Sequence, residues 1–130
     1  MYMKYEISKT LESTPEQAQK RAVDALSAEG FGVLTEIDVQ ATMKKKLDRD
    51  MPYYTILGAC NPTMAWKALE KEPRIGTMLP CNVIVRELEA GTVEVSAVDP
   101  QASMQAVENP ELAAIASEVR AGLQRVIEAI

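Results

Sequence analysis

Histidine is absent from the 130-residue chain. Its absence excludes Ser-His-Asp and Cys-His catalysis, and also zinc or haem held by imidazole. Cysteine is scarce: the two present, Cys60 and Cys81, cannot complete a structural zinc site alone. Aromatic residues make up only 5%, so the core must be aliphatic, with the 7 methionines as gap fillers. Basic residues are outnumbered 14 to 19, for a net charge of -5. A protein gripping nucleic acid by its phosphates needs the opposite balance, so no nucleic-acid partner is expected. No apolar run approaches the roughly 18 residues of a membrane span, and the opening residues, which read as a strand, lead to the expectation of no signal peptide. The expected setting is cytoplasmic, without a membrane partner and with both thiols reduced.

The rest of the composition, 47% hydrophobic and 25% charged, is ordinary for a soluble globular domain. A chain of this length suits one domain, residues 1–130, and can bury about two-thirds of its unfolded surface. Residues 2–8 predict a first strand, with Tyr2 or Met3, Tyr5 and Ile7 on its apolar side. Thr14, Pro15 and Gln17 then form a capping box. A helix with Ala18, Ala22, Ala25 and Leu26 at helical spacing runs to Glu29, where Gly30 ends it. Residues 31–37 are a second strand. Asp38 caps a short helix to about Leu47, whose apolar stripe is Val39, Met43 and Leu47. The lysine run Lys44, Lys45 and Lys46 is a solvated helix face.

A third strand runs from Tyr53 to Ala59 or Cys60, with Tyr53 and Tyr54 pointing to opposite faces. Asn61 and Pro62 start a third helix, which Pro73 stops near Glu72. After a turn at 73–79 come strand four, Cys81 to Leu88, and strand five, Thr92 to Val98, joined through Ala90 and Gly91. Arg86, mid-strand among apolar residues, needs an acidic partner such as Glu94 or an anionic ligand. A loop with Pro100 and Met104 leads to Asn109 and Pro110, which open a last amphipathic helix to residue 129. The order is β-α-β-α-β-α-β-β-α. The fold class is α+β, with a five-stranded, mainly antiparallel sheet and two long helices on one face. An opposite face left bare would put Ile84 in water, and homodimerisation is the simplest cover for it.

Both cysteines precede an asparagine at the junction of an apolar run and a turn: Cys60-Asn61-Pro62 and Pro80-Cys81-Asn82. If strands three and four are antiparallel neighbours, residues whose numbers sum to about 141 oppose each other, and Cys60 with Cys81 meet that sum. Directly opposed residues place their Cβ atoms about 4.5–5.5 Å apart. The N-terminus of the third helix adds partial positive charge, which favours a thiolate or an anion. Cys60, Asn61, Cys81 and Asn82 are thus the candidate ligand-binding residues, with Trp66 as a possible wall. The alternative is that both cysteines are small buried hydrophobes and Asn61 only a cap. Gly30 and Gly32 lack the third glycine of a dinucleotide fingerprint. Glu36 and Asp38 share one strand edge, and capping accounts for Asp38.

Three stretches resemble a known family: Gly30-Phe31-Gly32-Val33-Leu34, Leu57-Gly58-Ala59-Cys60-Asn61-Pro62 and Leu79-Pro80-Cys81-Asn82-Val83. Together they look like domain of unknown function family 302, over nearly the whole chain. The resemblance implies a small α+β domain with a curved sheet, grouped with TATA-box-binding-protein-like folds, and no established activity. That grouping carries no inference of DNA binding.

Three functions fit these residues. One is non-catalytic binding of a small or anionic ligand near the paired Cys-Asn motifs. Another is thiol-dependent redox, persulfide or metal handling through Cys60 and Cys81. The third is homodimeric assembly through the sheet. No cofactor follows from the sequence, and no dense group of acid, base and nucleophile points to an enzyme.

Overall fold

The computed structural model describes residues 4–130. Its strands are β1 (Glu6–Glu12), β2 (Gly32–Asp38), β3 (Tyr54–Cys60), β4 (Cys81–Glu89) and β5 (Thr92–Val98). Its helices are α1 (Pro15–Ala28), α2 (Val39–Leu47), α3 (Pro62–Lys71), the short α4 (Pro100–Ser103) and α5 (Pro110–Ala129), with a 3-10 helix at Pro73–Met78. The strands form one antiparallel sheet in the order β1-β5-β4-β3-β2. The expected α+β architecture is the observed one.

Capping residues set the helix starts. Thr14 accepts from the Gln17 amide, Asp38 from Ala41, Asn61 from Met64 and Asn109 from Glu111. Each satisfies an amide that the helix itself leaves unpaired. Gly30, at φ +84°, follows α1 where a side chain would be strained.

One face of the sheet carries the core. Leu57, Val83, Val85, Val93, Val95 and Ala97 are fully buried there. Ala18, Ala22 and Leu26 of α1 cover them together with Leu123, Val126 and Ile127 of α5. Each buried Leu or Val side chain contributes about 1.5–3 kcal/mol relative to exposure. Tyr53 packs on this core, its hydroxyl bonded to Gln19, while Tyr54 lies on the opposite face.

Among the described residues no helix covers that opposite face. The face presents Tyr54, Ile84, Arg86, Glu94 and Ser96 along an open groove of about 520 Å³. Arg86 finds the partner its position requires: it stands directly opposite Glu94, and its Nε donates to Glu94 Oε1 at 2.8 Å.

Two expectations are corrected. β1 occupies Glu6–Glu12 rather than 2–8, because pairing with β5 from Glu6↔Val98 to Glu12↔Thr92 sets its span. Tyr5 is exposed instead of apolar-facing; Ile7 and Leu11 supply the core side, and Tyr2 and Met3 lie outside the described residues. Lys9 on β1 donates to the carbonyls of Glu128 and Ile130 at the end of α5, where a cation suits the helix dipole. The second correction is α2, whose apolar stripe buries nothing: Met43 and Leu47 are exposed. This short helix follows β2 directly and meets β3, outside both buried clusters.

Candidate functional site

A second, smaller core sits beside the main one. Ala68 of α3, Ile75 of the 3-10 helix and Leu112 of α5 are buried together, with Leu79, Met104, Val107 and Ile115 against them. Between the two cores lies a cavity of about 30 Å³, floored by the β3–β4 rim and roofed by α3, α4 and α5. It holds roughly a water molecule or a single ion. Cys60, Asn61 and Cys81 line it, as do Met64, Pro80 and Met104.

The cysteines reach this cavity by a different route from the one their numbering suggests. Cys81 pairs with Ala59, so opposed residues sum to 140, not 141. The core positions of β3 are Thr55, Leu57 and Ala59, and those of β4 are Cys81, Val83 and Val85. Both sets are odd-numbered, and opposed residues share a face, so an odd sum would turn one strand's core side outward. Cys60 is instead the last residue of β3, where the chain swings into α3, and this swing brings it to the cavity that Cys81 lines. Both cysteines are free thiols, Cys81 buried and Cys60 half-buried.

Burial raises the Cys81 thiol from an ordinary value of 9.0 to about 11, and the neighbouring Cys60 adds to the rise. Cys81 is therefore a protonated thiol at neutral pH. Asn61 caps α3 through Oδ1, 3.3 Å from the Met64 amide. The cap also fixes the phase of the helix. Met64, Ala65 and Ala68 turn toward the cavity. Trp66, two residues and about 200° on from Met64, turns away and is 65% exposed. Trp66 is no wall of this cavity. Asn82 is separated as well: it pairs with Gly58 on the open face and lines the groove there. Three of the five expected residues thus meet, and two do not.

Gly58 explains how tightly this rim is closed. A Cβ built there would lie 2.8 Å from Pro80 Cγ and would collide with the Thr35 hydroxyl, so only glycine leaves room for those two side chains to close on the strand. Glu36 and Asp38 are occupied elsewhere, Glu36 accepting from Gln19 and Asp38 capping α2. Met64 and Met104 also line the cavity, and the sequence does not single them out as site residues. Met64 follows the Asn61 cap by three positions, which is a readable signal. Met104 reaches the cavity only because Pro100–Ser103 forms a helical turn where a loop was expected.

Among the described residues no three His, Cys, Asp or Glu side chains cluster as metal ligands. No helix among them is long and apolar enough to cross a membrane.

No curated protein matches the chain. Among solved structures, it is similar to an uncharacterised conserved DUF302 protein from Bacillus stearothermophilus, with a TM-score of 0.89 and 25% sequence identity. That likeness covers 96% of this chain and 97% of the other. The family described as domain of unknown function DUF302 matches residues 7–130, the full span of the sheet core, the cavity and α5, and the chain belongs to it.

Proposed function

We propose that this chain is a non-catalytic binding domain whose ligand occupies the cavity between the β3–β4 rim and α3. The convergence of Cys60, Asn61 and Cys81 on that one space carries the reading. Its size limits the bound species to one or a few atoms unless α3 or α4 moves. The carboxylate pair on β2, Glu36 and Asp38, is committed to Gln19 and α2. Xenon is a suitable uncharged probe, since it enters apolar cavities of about 150 Å³ and will occupy this one only if α3 or α4 yields to open it. In amide NMR spectra under xenon pressure, the largest shifts should fall at Cys60, Ala65, Ala68, Cys81 and Ala116. Shifts spread evenly over the sheet, or none, would mean that the cavity admits nothing.

The open sheet face favours a second reading, assembly with a second copy of this chain. Its polar side chains are largely satisfied internally: Arg86 by Glu94, and Ser8 by Ser96 at 2.7 Å. Burying them against a copy strands few charges. Glu6 Oε2 is buried with no partner among the described residues, and the exposed Asn82 of a copy is a donor suited to it. Light scattering should then return twice the 14.3 kDa chain mass. Ile84→Arg should return one chain mass with the circular dichroism spectrum unchanged. A wild-type protein already at one chain mass would refute assembly through this face.

A further inference from the structure

The thiol-lined cavity has a feature that neither cysteine explains. Four sulfur-bearing side chains from four different elements line it: Cys60 at the end of β3, Met64 on α3, Cys81 at the start of β4 and Met104 at the end of α4. The chain holds only nine sulfur-bearing residues, 2 cysteines and 7 methionines. Their meeting around a space of about 30 Å³ is a concentration of soft donors. No carboxylate lines the same space, and the chain has no imidazole to offer.

We infer that the cavity is a site for a soft monovalent cation, Cu(I) or its redox-inert surrogate Ag(I), held by Cys60 and Cys81 with Met64 and Met104 flanking. This rests on the binding reading above and names the ligand class. Thiolate and thioether donors favour Cu(I), whereas magnesium and calcium require oxygen ligands that this lining lacks. Zinc normally takes four nitrogen, oxygen or thiolate donors, and only two are present. The ion displaces the two thiol protons, which pass to solvent: Cu⁺ plus two thiols gives a dithiolate complex of charge -1 and two H⁺. The remaining negative charge lies next to the N-terminus of α3, whose amides carry partial positive charge. Asn61 acts as a positioning residue. Its side chain holds the Met64 amide and so sets where that thioether stands.

The test uses the full chain, reduced and kept free of oxygen, with Cu(I) supplied as its complex with a colorimetric chelator. One equivalent of Cu(I) should transfer to the protein, and X-ray absorption should show sulfur neighbours only. Cys60→Ser should abolish the transfer. Met64→Leu with Met104→Leu should weaken it by about tenfold or more, with thermal unfolding nearly unchanged because Met-to-Leu swaps conserve volume. Failure of the wild-type protein to take Cu(I), or wild-type affinity in the double methionine variant, would overturn the site. Zn(II) bound as tightly as Cu(I) would overturn its softness. A protein that admits xenon but refuses Cu(I) and Ag(I) retains the binding reading and loses this one.

Discussion

Through Cys81 alone the folded protein will lose about 3 kcal/mol of stability as pH rises from well below 9 to well above 11, about 2 kcal/mol of it between those two values. In the native state this thiol is 8% exposed, and burial is the main reason its proton is held to about 11 rather than 9.0. Unfolding returns it to water and to the ordinary value. The native state therefore binds the proton more tightly than the unfolded chain does. Its contribution is complete below pH 9 and disappears as pH rises through 11. Two pH units correspond to about 3 kcal/mol. Lysines and tyrosines also titrate in this range, so the informative quantity is the difference between two urea-unfolding series. Cys81→Ala should start less stable at pH 8, because it leaves a small void, yet lose less stability by pH 11. Cys60→Ala should remove a smaller part of the slope, since Cys60 is the lesser of the two causes. Parallel slopes for wild type and Cys81→Ala would show that this thiol does not titrate late. Alkylation at pH 8 gives an independent check: Cys60 should label in the native protein, Cys81 only on unfolding.

Much of the fold could be read from local chemistry. Thr14, Asp38, Asn61 and Asn109 each stand one residue before a helix, and three of the four precede a proline. Cap and proline act on neighbouring backbone, so their meaning travels with the sequence. β1 escaped this reading because its pattern, with Ser8, Thr10 and Glu12 alternating with Ile7 and Leu11, becomes a strand only when β5 supplies the ladder. Trp66 was open to misreading for the opposite reason: a large apolar residue near a turn suggests burial, but the Asn61 cap had already settled which side of α3 faces inward. The Cys60–Cys81 register differs by one residue from the expected one, and the odd-numbered core positions of both strands already demand an even sum. What lay beyond reach was Met104, whose place depends on a four-residue helix held by a distant arginine.

That arginine leads to the second large effect. Asp99→Ala should destabilise the protein by about 2–3 kcal/mol and loosen one wall of the cavity. Asp99 uses both of its oxygens: Oδ1 accepts from the Gln101 amide at 2.9 Å and caps α4, while Oδ2 accepts from Arg120 Nε of α5 at 3.0 Å. The carboxylate is 15% exposed, so neither bond is readily replaced by water. A lost cap costs about 1 kcal/mol and a lost hydrogen bond to a charged group about 1.5–3 kcal/mol. The total is held toward the low end because the Arg120 side chain is 38% exposed and the ion pair is partly screened. Asp99→Asn keeps the capping oxygen and removes the charge, so it should cost about half as much. Combining Asp99→Ala with Arg120→Ala isolates the ion pair through the departure from additivity. Pro100 and Met104 line the cavity and hang from this clamp. Amide exchange in residues 100–107 should accelerate in Asp99→Ala while β4 and β5 stay protected. If the alanine variant unfolds at the wild-type urea midpoint, Asp99 does not hold the segment, and the cavity owes that wall to the apolar contacts of Met104 and Val107 with Leu112.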